Sequence, residues 1–167
     1  MKIGLISDTH GFLDQKVKDY FTDCDEIWHA GDVGPGGLLK ELQPIARLRA
    51  VYGNIDETAL RKELPEDNFF QIEDLKILIT HIAGSPPKYN PRVRKLLLQQ
   101  PVDVLVCGHS HILKVTRDPG LNLIYINPGA AGVHGFHKMK TIMTFEISEN
   151  KIQEMKVIEL GRRGQIS

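Results

Sequence analysis

Side chains of the types that can bind metal ions follow five short apolar segments of this 167-residue chain. Each segment has the length and composition of a buried β-strand, and three of the five reach the polar residue through a glycine. The carboxyl ends of strands in an α/β sheet lie along one edge, so side chains that are far apart in the sequence would meet there. The segments and the residues after them are 3–6 with Asp8 and His10, 26–30 with Asp32, 48–52 with Asn54, 76–80 with His81, and 102–107 with His109 and His111.

These seven side chains offer oxygen and nitrogen atoms but no thiolate. Such a set suits Mn²⁺, Fe, Zn²⁺ or Ni²⁺ better than soft metals or iron–sulfur clusters. Seven ligands exceed the number that one ion uses, which favours two ions that share one carboxylate. Two ions about 3.5–4 Å apart are an arrangement that hydrolyses phosphate esters. A single histidine at the end of a strand is more often structural, so the prediction depends on all five segments ending in this way.

The segments that must position this cluster alternate with helical patterns in the first two-thirds of the chain. Apolar residues at helical spacing predict helices over 12–21, 37–46 and 91–100, and segments 69–72 and 76–80 resemble a hairpin. From Ile112 onward the pattern is that of strands separated by turns, predicted over 113–116, 123–126, 141–147 and 152–158. An α/β front followed by a β-rich tail predicts two packed sheets with helices outside.

The composition is that of an ordinary globular domain and argues against several functions. Lys+Arg and Asp+Glu number 21 each, and the resulting net charge of zero disfavours a long nucleic-acid partner or an anionic membrane. The longest apolar runs have four residues, too few for a membrane span. Cys24 and Cys107 form no CxxC motif and the first residues lack the pattern of a signal peptide, so we expect reduced cysteines in a cytoplasmic protein. We predict a single domain over residues 1–167.

The order and spacing of the metal-binding side chains resemble the signature of the calcineurin-like metallophosphoesterases. The resemblance covers residues 1–146, and the compact length is similar to that of the small bacterial and archaeal phosphodiesterase branch. Asn127-Pro128-Gly129, which follows a late strand, also resembles that branch. The motifs that carry the resemblance are Asp8-x-His10, Gly31-Asp32, Gly53-Asn54, His81 and Gly108-His109-x-His111.

The resemblance implies an α/β fold, a four-layer α/β/β/α sandwich of two mixed sheets flanked by helices. It also implies a dinuclear phosphodiesterase in which a hydroxide between two divalent ions attacks a small phosphodiester. Mn²⁺ is the favoured metal, with Ni²⁺, Zn²⁺, Fe and Mg²⁺ as alternatives, and a homo-oligomer stays open. Asn54 would also stabilise charge on the phosphoryl oxygens. The implied ligands are Asp8, His10 and His111 for one ion and Asn54, His81 and His109 for the other, with Asp32 bridging both.

The sequence departs from the family pattern at one position. Many members have a histidine directly after the asparagine of Gly-Asn, where it protonates the leaving group, whereas this chain has Ile55. General acid catalysis typically contributes 10²- to 10⁴-fold, so its loss should matter most for alkoxide leaving groups. His134 and His137 are candidate replacements, and we hypothesise that His134 faces the substrate as a catalytic residue.

Two other functions compete with a phosphodiesterase. A non-enzymatic, protein-binding scaffold is one, since a retromer subunit resembles this fold, and a nuclease of the same superfamily is the other. The complete set of seven ligands favours an enzyme, and the zero net charge disfavours a long nucleic acid. We expect His29 to be structural, Lys138, Lys140, Arg162 and Arg163 to be solvated, and the loop at 85–87 to form a rim of the pocket.

Overall fold

The chain forms two β-sheets that pack face to face, with helices on the outer side of each. A computed structural model describes residues 1–164. The elements in chain order are β1 (Lys2–Ile6), α1 (Lys16–Phe21), β2 (Glu26–His29), α2 (Leu38–Leu42), β3 (Arg47–Ala50), α3 (Thr58–Glu63), β4 (Asp67–Ile72), β5 (Leu75–Thr80), β6 (Gly84–Ser85), β7 (Lys88–Tyr89), α4 (Pro91–Gln99), β8 (Val104–Val106), β9 (Leu113–Asp118), β10 (Leu123–Pro128), β11 (Met139–Ser148) and β12 (Lys151–Arg162).

Each large sheet has five strands and mixes parallel with antiparallel neighbours. The strand order of the first is β12-β11-β1-β2-β3, in which β1, β2 and β3 run parallel. The order of the second is β4-β5-β8-β10-β9, in which β5, β8 and β10 run parallel. The short strands β6 and β7 form a separate hairpin after β5. All five strands that precede predicted metal ligands are therefore parallel strands.

Alternating side chains along these strands create three apolar layers. One lies between the sheets, one between the first sheet and α1 and α2, and one between the second sheet and α4. The layer between the sheets includes Leu5, Trp28, Ile77 and Val104. The layer under α1 and α2 includes Ile6, Ile27, Phe21 and Leu42. The layer under α4 includes Leu78, Leu105, Val93 and Leu97. The expected α/β/β/α sandwich of two mixed sheets is thus confirmed.

The helices of the first half are shorter than the predicted ones. Helix α1 begins at Lys16 and not at residue 12, because the Asp14 carboxylate accepts a hydrogen bond from the backbone N–H of Lys16 at 3.1 Å and so fixes the turn before it. Helix α2 follows Gly37, whose φ of 72° is left-handed, and ends at Leu42. Helix α3 was not predicted, because it has no buried residue and hence no apolar periodicity.

Lys140 is buried, which corrects the expectation that it is solvated. Its side chain is inaccessible, and its Nζ atom lies 2.7 Å from an oxygen of the equally buried Asp14. The reason is its place in β11, where it shares a face with Ile142, a residue packed beneath α1 and α2. The side chain therefore points at the segment before α1 and joins it to the sheet by an ion pair.

None of the helices within residues 1–164 is long and apolar enough to cross a membrane. Cys24 and Cys107 are both buried and free, as expected. Burial raises the pKa of the Cys107 thiol to about 12, so this residue acts as a small apolar side chain at the end of β8.

Candidate metal centre

The seven predicted ligands meet where the two sheets present their carboxyl ends. The first sheet supplies four of them after β1, β2 and β3, and the second supplies three after β5 and β8. Six of them form two groups whose ligand atoms lie within 4.8 Å of one another, Asp8 with His10 and His111, and Asp32 with His81 and His109. The seventh, Asn54, places its Oδ1 beside His81 and His109. Each group takes residues from both sheets, so a metal ion bound in either group would connect the sheets.

The first group contains a buried nitrogen that lacks a hydrogen-bond partner among the described residues. His10 Nε2 is buried and has no hydrogen-bond partner among residues 1–164. Burial lowers the pKa of His10 in spite of the nearby Asp32 and Asp8 carboxylates, so the ring is neutral near pH 7. A buried polar atom without a partner is costly, and a cation at this position would remove the cost.

The orientation of His111 follows from a chain of two histidines. His137 Nε2 lies 2.9 Å from the Gly132 carbonyl and must donate to it, because a carbonyl only accepts. Burial lowers the pKa of His137, so its Nδ1 is bare and accepts from His111 Nδ1 at 3.2 Å. The remaining nitrogen of His111, Nε2, then faces the site 3.2 Å from Asp8 Oδ1. This is the arrangement of a histidine that is held ready to bind a metal.

His81 gives the second group the same property. Its Nδ1 donates to the Ala30 carbonyl at 2.7 Å, so Nε2 is the nitrogen that faces the site. Nε2 lies 3.2 Å from Asp32 Oδ1 and 3.1 Å from Asn54 Oδ1. Three electron-rich atoms around one point require a proton or a metal ion between them. Burial lowers the pKa of His81, but the hydrogen bond and charge of Asp32 and the charge of Asp8 outweigh it and raise the pKa overall.

Asp32, a member of the second group, also faces the first. Its Oδ1 faces His81, while its Oδ2 lies 3.7 Å from His10 Nε2. Burial raises its pKa, but hydrogen bonds from His81 and the backbone N–H of Ile55, together with the charge of His81, lower it overall. The carboxylate is therefore ionised at neutral pH. Its position between the groups, the unpartnered His10 nitrogen and the polar atoms crowded around His81 Nε2 fit the binding of divalent metal by these residues.

The backbone is left-handed at most of these positions. Five of the seven ligands have positive φ, namely Asp8 (54°), His10 (50°), Asp32 (51°), His109 (67°) and His111 (57°). Each such residue costs on the order of 1–3 kcal/mol and persists only when its surroundings hold it. The main chains of Asp8 and His10 donate to the carbonyls of Gly31 and Asp32 at 3.0 Å, which fixes the two loops against each other.

Two glycines of the motifs are required by close approach. A Cβ on Gly53 would lie 2.0 Å from Asp32 Oδ1, and one on Gly108 would lie 2.1 Å from Ser7 Oγ and 2.7 Å from Asp8 Oδ2. Any other residue at either position would displace a predicted ligand. The Ser7 hydroxyl itself donates to Asp8 Oδ2 at 2.6 Å and orients that carboxylate.

Asp56 supports the site and was missed by the sequence reading. Its buried carboxylate accepts from the backbone N–H groups of Val33 at 3.2 Å, Gly34 at 2.7 Å and Gly53 at 2.7 Å. One side chain therefore joins the loop that carries Asp32 to the loop after β3. The sequence signal available was its place two residues after Asn54, in the same glycine-led loop.

Asn127 and His29, both buried, also support the loops that carry the predicted ligands. Asn127 donates to the Gly108 carbonyl at 2.9 Å and to Ser110 Oγ at 3.1 Å, and so fixes the loop between the two last histidines. His29 is fully buried and hydrogen-bonded to Thr9 Oγ1 at 2.9 Å, and burial lowers its pKa to about 4. It is a neutral structural residue, in agreement with the expectation for it.

The two residues connected with leaving-group protonation lie at the surface of the site. The Ile55 side chain is 41% exposed and can donate no proton. His134 is exposed, and its ring centroid lies 5.8 Å from that of His10. His137, the other candidate, has both nitrogens engaged, Nδ1 with His111 and Nε2 with the Gly132 carbonyl. Of the two histidines, His134 is therefore the one with a ring available to a substrate, and its catalytic role stays a prediction.

Two cavities adjoin the cluster. One, of about 600 Å³, is lined by His109 together with residues of the β6–β7 hairpin, β9 and β10. The other, of about 230 Å³, is lined by Asn54, His81, Arg61 and Arg92. The Arg61 guanidinium donates to the carbonyls of Asp56, Gly53 and Asn54 and so braces the loop after β3.

Comparison with known proteins agrees with this geometry. Residues 1–150 match the calcineurin-like phosphoesterase superfamily domain. The chain is 33% identical to a probable metallophosphoesterase of Methanothermobacter thermautotrophicus over 96% of its own length and 94% of the relative's. It is 30% identical to a phosphodiesterase of Methanocaldococcus jannaschii, over 77% of this chain and 83% of that one.

Solved structures share the fold. An archaeal phosphodiesterase superposes with a TM-score of 0.78 at 26% identity, covering 95% of this chain and 99% of the other. A zinc-complexed Vps29 of Entamoeba histolytica superposes with a TM-score of 0.72 at 19% identity, covering 96% and 100%, which establishes likeness of fold alone. The chain therefore belongs to the calcineurin-like phosphoesterase superfamily, as its motifs indicated, and is a metal-dependent phosphoesterase.

Proposed function

We propose that the protein hydrolyses small phosphodiesters with two divalent ions bound by the seven residues described above. One observation carries the proposal: the two oxygens of Asp32 face the two ligand groups separately, Oδ1 toward His81 and Oδ2 toward His10. A carboxylate in that position suits a bridge between two ions. The phosphodiesterase relative supports the choice of a diester over a monoester.

The chain's own residues orient the donors and the substrate. Bound metal ions would lower the pKa of water and withdraw charge from the phosphoryl oxygens. Asn54 directs its Oδ1 at His81 and His109, at 3.1 and 2.8 Å. Its amide nitrogen donates to nothing within residues 1–164 and can therefore donate to a phosphoryl oxygen in the transition state.

The leaving group determines which diesters react well. With Ile55 in the usual acid position, good leaving groups such as aryloxides need no protonation, whereas alkoxides do. His134 is the residue proposed to supply that proton. We expect His134→Ala to slow hydrolysis of an alkyl phosphodiester by about 10²-fold while leaving an aryl diester nearly unchanged. Unchanged turnover of the alkyl diester would rule out His134 as the acid.

The nature of the metal follows from ligand chemistry. Imidazole and carboxylate donors without thiolate suit Mn²⁺, the favoured ion, and also Ni²⁺, Zn²⁺ and Fe, with Mg²⁺ as a further alternative. A protein-binding scaffold would have no need for seven intact ligands, and their presence favours the enzyme over that alternative. The zero net charge favours a small diester over a long nucleic acid.

The test combines metal content, thermal unfolding and hydrolysis. Metal-free protein is supplied with Mn²⁺, Ni²⁺, Zn²⁺ or Mg²⁺ and assayed with bis(4-nitrophenyl) phosphate and 4-nitrophenyl phosphate. We expect about two ions per chain, a higher melting temperature because the ions connect the two sheets, and preference for the diester. Fewer than one bound ion together with no turnover for any metal would refute the proposal.

A matched pair of variants tests whether Asp32 bridges the two ions. Asp32→Ala should lose metal and slow the diester reaction by more than about 10²-fold, since loss of a supporting residue alone typically costs 10–100-fold. Asp23→Ala removes an exposed carboxylate outside the two ligand groups and should bind metal and hydrolyse the diester as the natural chain does. Full activity in Asp32→Ala would contradict the assigned bridge.

A further inference from the structure

The cavity of about 600 Å³ beside His109 has a composition that suits one particular kind of substituent. Its walls include two tyrosines, Tyr89 and Tyr125, both buried. Their hydroxyls are engaged elsewhere: Tyr89 donates to Asp118 at 2.7 Å and Tyr125 to the Gly84 carbonyl at 2.9 Å. With the hydroxyls held in this way, the tyrosines form a fixed wall next to a predicted metal ligand.

A cation lies in this cavity without a carboxylate to balance it. Lys114 of β9 is half-buried and lines the cavity. Its ammonium donates to Ser85 Oγ at 2.6 Å and lies 5.9 Å from the centre of the Tyr125 ring. No Asp or Glu oxygen within residues 1–164 lies within 4 Å of its Nζ. A half-buried ammonium of this kind gains most from an anionic ligand, since it is already partly desolvated.

The position of Lys114 in the sheet directs it toward the site. It pairs across the strands with Asn127, the residue that fixes the loop between His109 and His111. Directly opposed residues share a face of the sheet, and Tyr125 lies two residues before Asn127 on that same face. Lys114, the Tyr125 ring and the His109 loop are therefore parts of one surface. Neutral donors or acceptors on that surface include Ser85 and Ser110.

We propose that this cavity binds the substituent of the phosphodiester that stays on phosphorus, and that Lys114 recognises an anionic group on it. The substrate class is then a phosphodiester with a second negative charge, a carboxylate or a phosphate, on one of its alcohols. The inference rests on the proposed function, because it concerns the substrate of that same site. It adds a specificity-determining residue that does not touch the reacting atoms.

Two esters that differ by one charge test the proposal. They are 3-carboxypropyl 4-nitrophenyl phosphate and its amide counterpart, 3-carbamoylpropyl 4-nitrophenyl phosphate. In both, water adds to phosphorus, the bond from phosphorus to the aryl oxygen breaks and 4-nitrophenolate leaves, so the same absorbance reports both. The natural chain should favour the acid by about tenfold in kcat/KM, the discrimination expected for one charge-assisted hydrogen bond at a partly exposed site.

Three variants assign that preference to Lys114. Lys114→Gln should reduce the ratio to about one by slowing the acid alone, and Lys114→Arg should keep the preference. Lys156→Gln removes the same charge from an exposed position on β12, in the other sheet, and should leave the ratio unchanged. Equal rates for the two esters in the natural chain, or a preference that survives Lys114→Gln, would overturn the proposal.

A binding measurement separates this proposal from the proposed function. The corresponding 3-carboxypropyl and 3-carbamoylpropyl esters of 4-nitrobenzylphosphonic acid have carbon in place of the aryl oxygen, and calorimetry gives their Kd for the metal-loaded chain. About tenfold tighter binding of the acid that is lost in Lys114→Gln supports the anion site even if neither phosphate ester is hydrolysed. Hydrolysis of the amide ester without any preference in rate or Kd refutes the anion site and retains the phosphodiesterase.

Discussion

Replacing Asp56 by asparagine should destabilise the protein without removing any metal ligand. The natural carboxylate accepts three backbone hydrogen bonds, with Oδ2 bound to Val33 and Gly53 and Oδ1 bound to Gly34. An asparagine has the same shape but only one oxygen. If that oxygen takes the place of Oδ2, its amide group points a donor at the N–H of Gly34, 2.7 Å away. One bond is lost and two donors are left facing each other.

The cost can be worked out from these contacts. A hydrogen bond to a charged group contributes about 1.5–3 kcal/mol, and a buried donor without a partner costs about 1–3 kcal/mol. Gly34 is only partly buried, so water can satisfy part of the loss, while the two bonds kept on oxygen weaken because the acceptor is neutral. We expect Asp56→Asn to lower the free energy of unfolding by about 2–4 kcal/mol, a large share of the 5–15 kcal/mol typical of a domain.

Urea denaturation of the metal-free protein measures this loss directly, because the metal's own stabilisation is absent. A second effect should follow at the site, since Asp56 joins the loops of Asp32 and Asn54, and metal affinity should fall by about 10–100-fold. The exposed carboxylate of Asp23 provides the control, and Asp23→Asn should change stability by less than about 0.5 kcal/mol. An Asp56→Asn protein as stable as the natural chain would refute the assignment of Asp56 as the junction of these loops.

Three further changes probe the support of the site and of the sheets. His137→Ala should weaken metal binding at the Asp8–His10–His111 group by about 10–100-fold, measured by chelator competition, because His111 loses the partner that fixes its ring. Lys140→Ala should lower the urea-derived unfolding free energy by about 3–5 kcal/mol, since it leaves a carboxylate buried without its ammonium. Glu26→Gln should lower the free energy of unfolding by about 1–3 kcal/mol at pH 7, and that free energy should then fall less steeply as the pH drops. Urea denaturation at several pH values measures both effects.

The sign of the acid effect follows from the surroundings of Glu26. Burial raises the pKa of its carboxyl, but hydrogen bonds from Arg49 and Trp28 and the charges of Arg49 and Arg47 outweigh it, so the pKa is lowered overall. A group with a lowered folded pKa stabilises the protein above its unfolded pKa, near 4.3, and loses that contribution as pH falls through the folded value. If the free energy of unfolding of Glu26→Gln falls with decreasing pH as steeply as that of the natural chain, this account is contradicted.

Neighbouring exposed residues provide the controls for His137→Ala and Lys140→Ala. His134→Ala removes a neighbouring exposed histidine and should leave both metal affinities within about twofold, so an equal loss in both variants would speak against a specific role of His137. Lys138→Ala removes an exposed lysine two residues before Lys140 and should be nearly neutral. A neutral Lys140→Ala would show that the buried ion pair does not hold the segment before α1.

Most of the fold could be predicted from the sequence because its strands are short and strongly apolar. The bounds of β1, β2, β5 and β8 agree with the predicted segments to within two residues. Helix α3 could not be predicted, since all its residues are exposed or half-buried and it leaves no periodic signal. Lys140 was misassigned because a charge in an alternating strand is ordinarily on the solvent side, and its partner lies 126 residues away.

The convergence of the seven site residues followed from one rule about strand ends, but the residues that support them did not. Asp56, Asn127 and His137 act through hydrogen bonds to backbone or to another ring, and such contacts have no spacing pattern in the sequence. The left-handed backbone at Asp8 and His10 was also unforeseen, because neither residue is a glycine. Chemistry at the site could therefore be inferred from residue types, while the forces that hold it in place required the structure.

The left-handed conformation of five ligands limits how this site can change during evolution. At φ near 55°, glycine, asparagine and aspartate are tolerated best, histidine is tolerated, and β-branched or bulky residues are strained. A descendant that abandons metal binding is therefore expected to exchange His10, His109 or His111 for glycine, which has no side-chain ligand atom, and to avoid valine, isoleucine or threonine. Such exchanges would remove the ligand and relieve the strain together. Loss of catalysis and retention of the fold are thus compatible outcomes of the same substitution in this lineage.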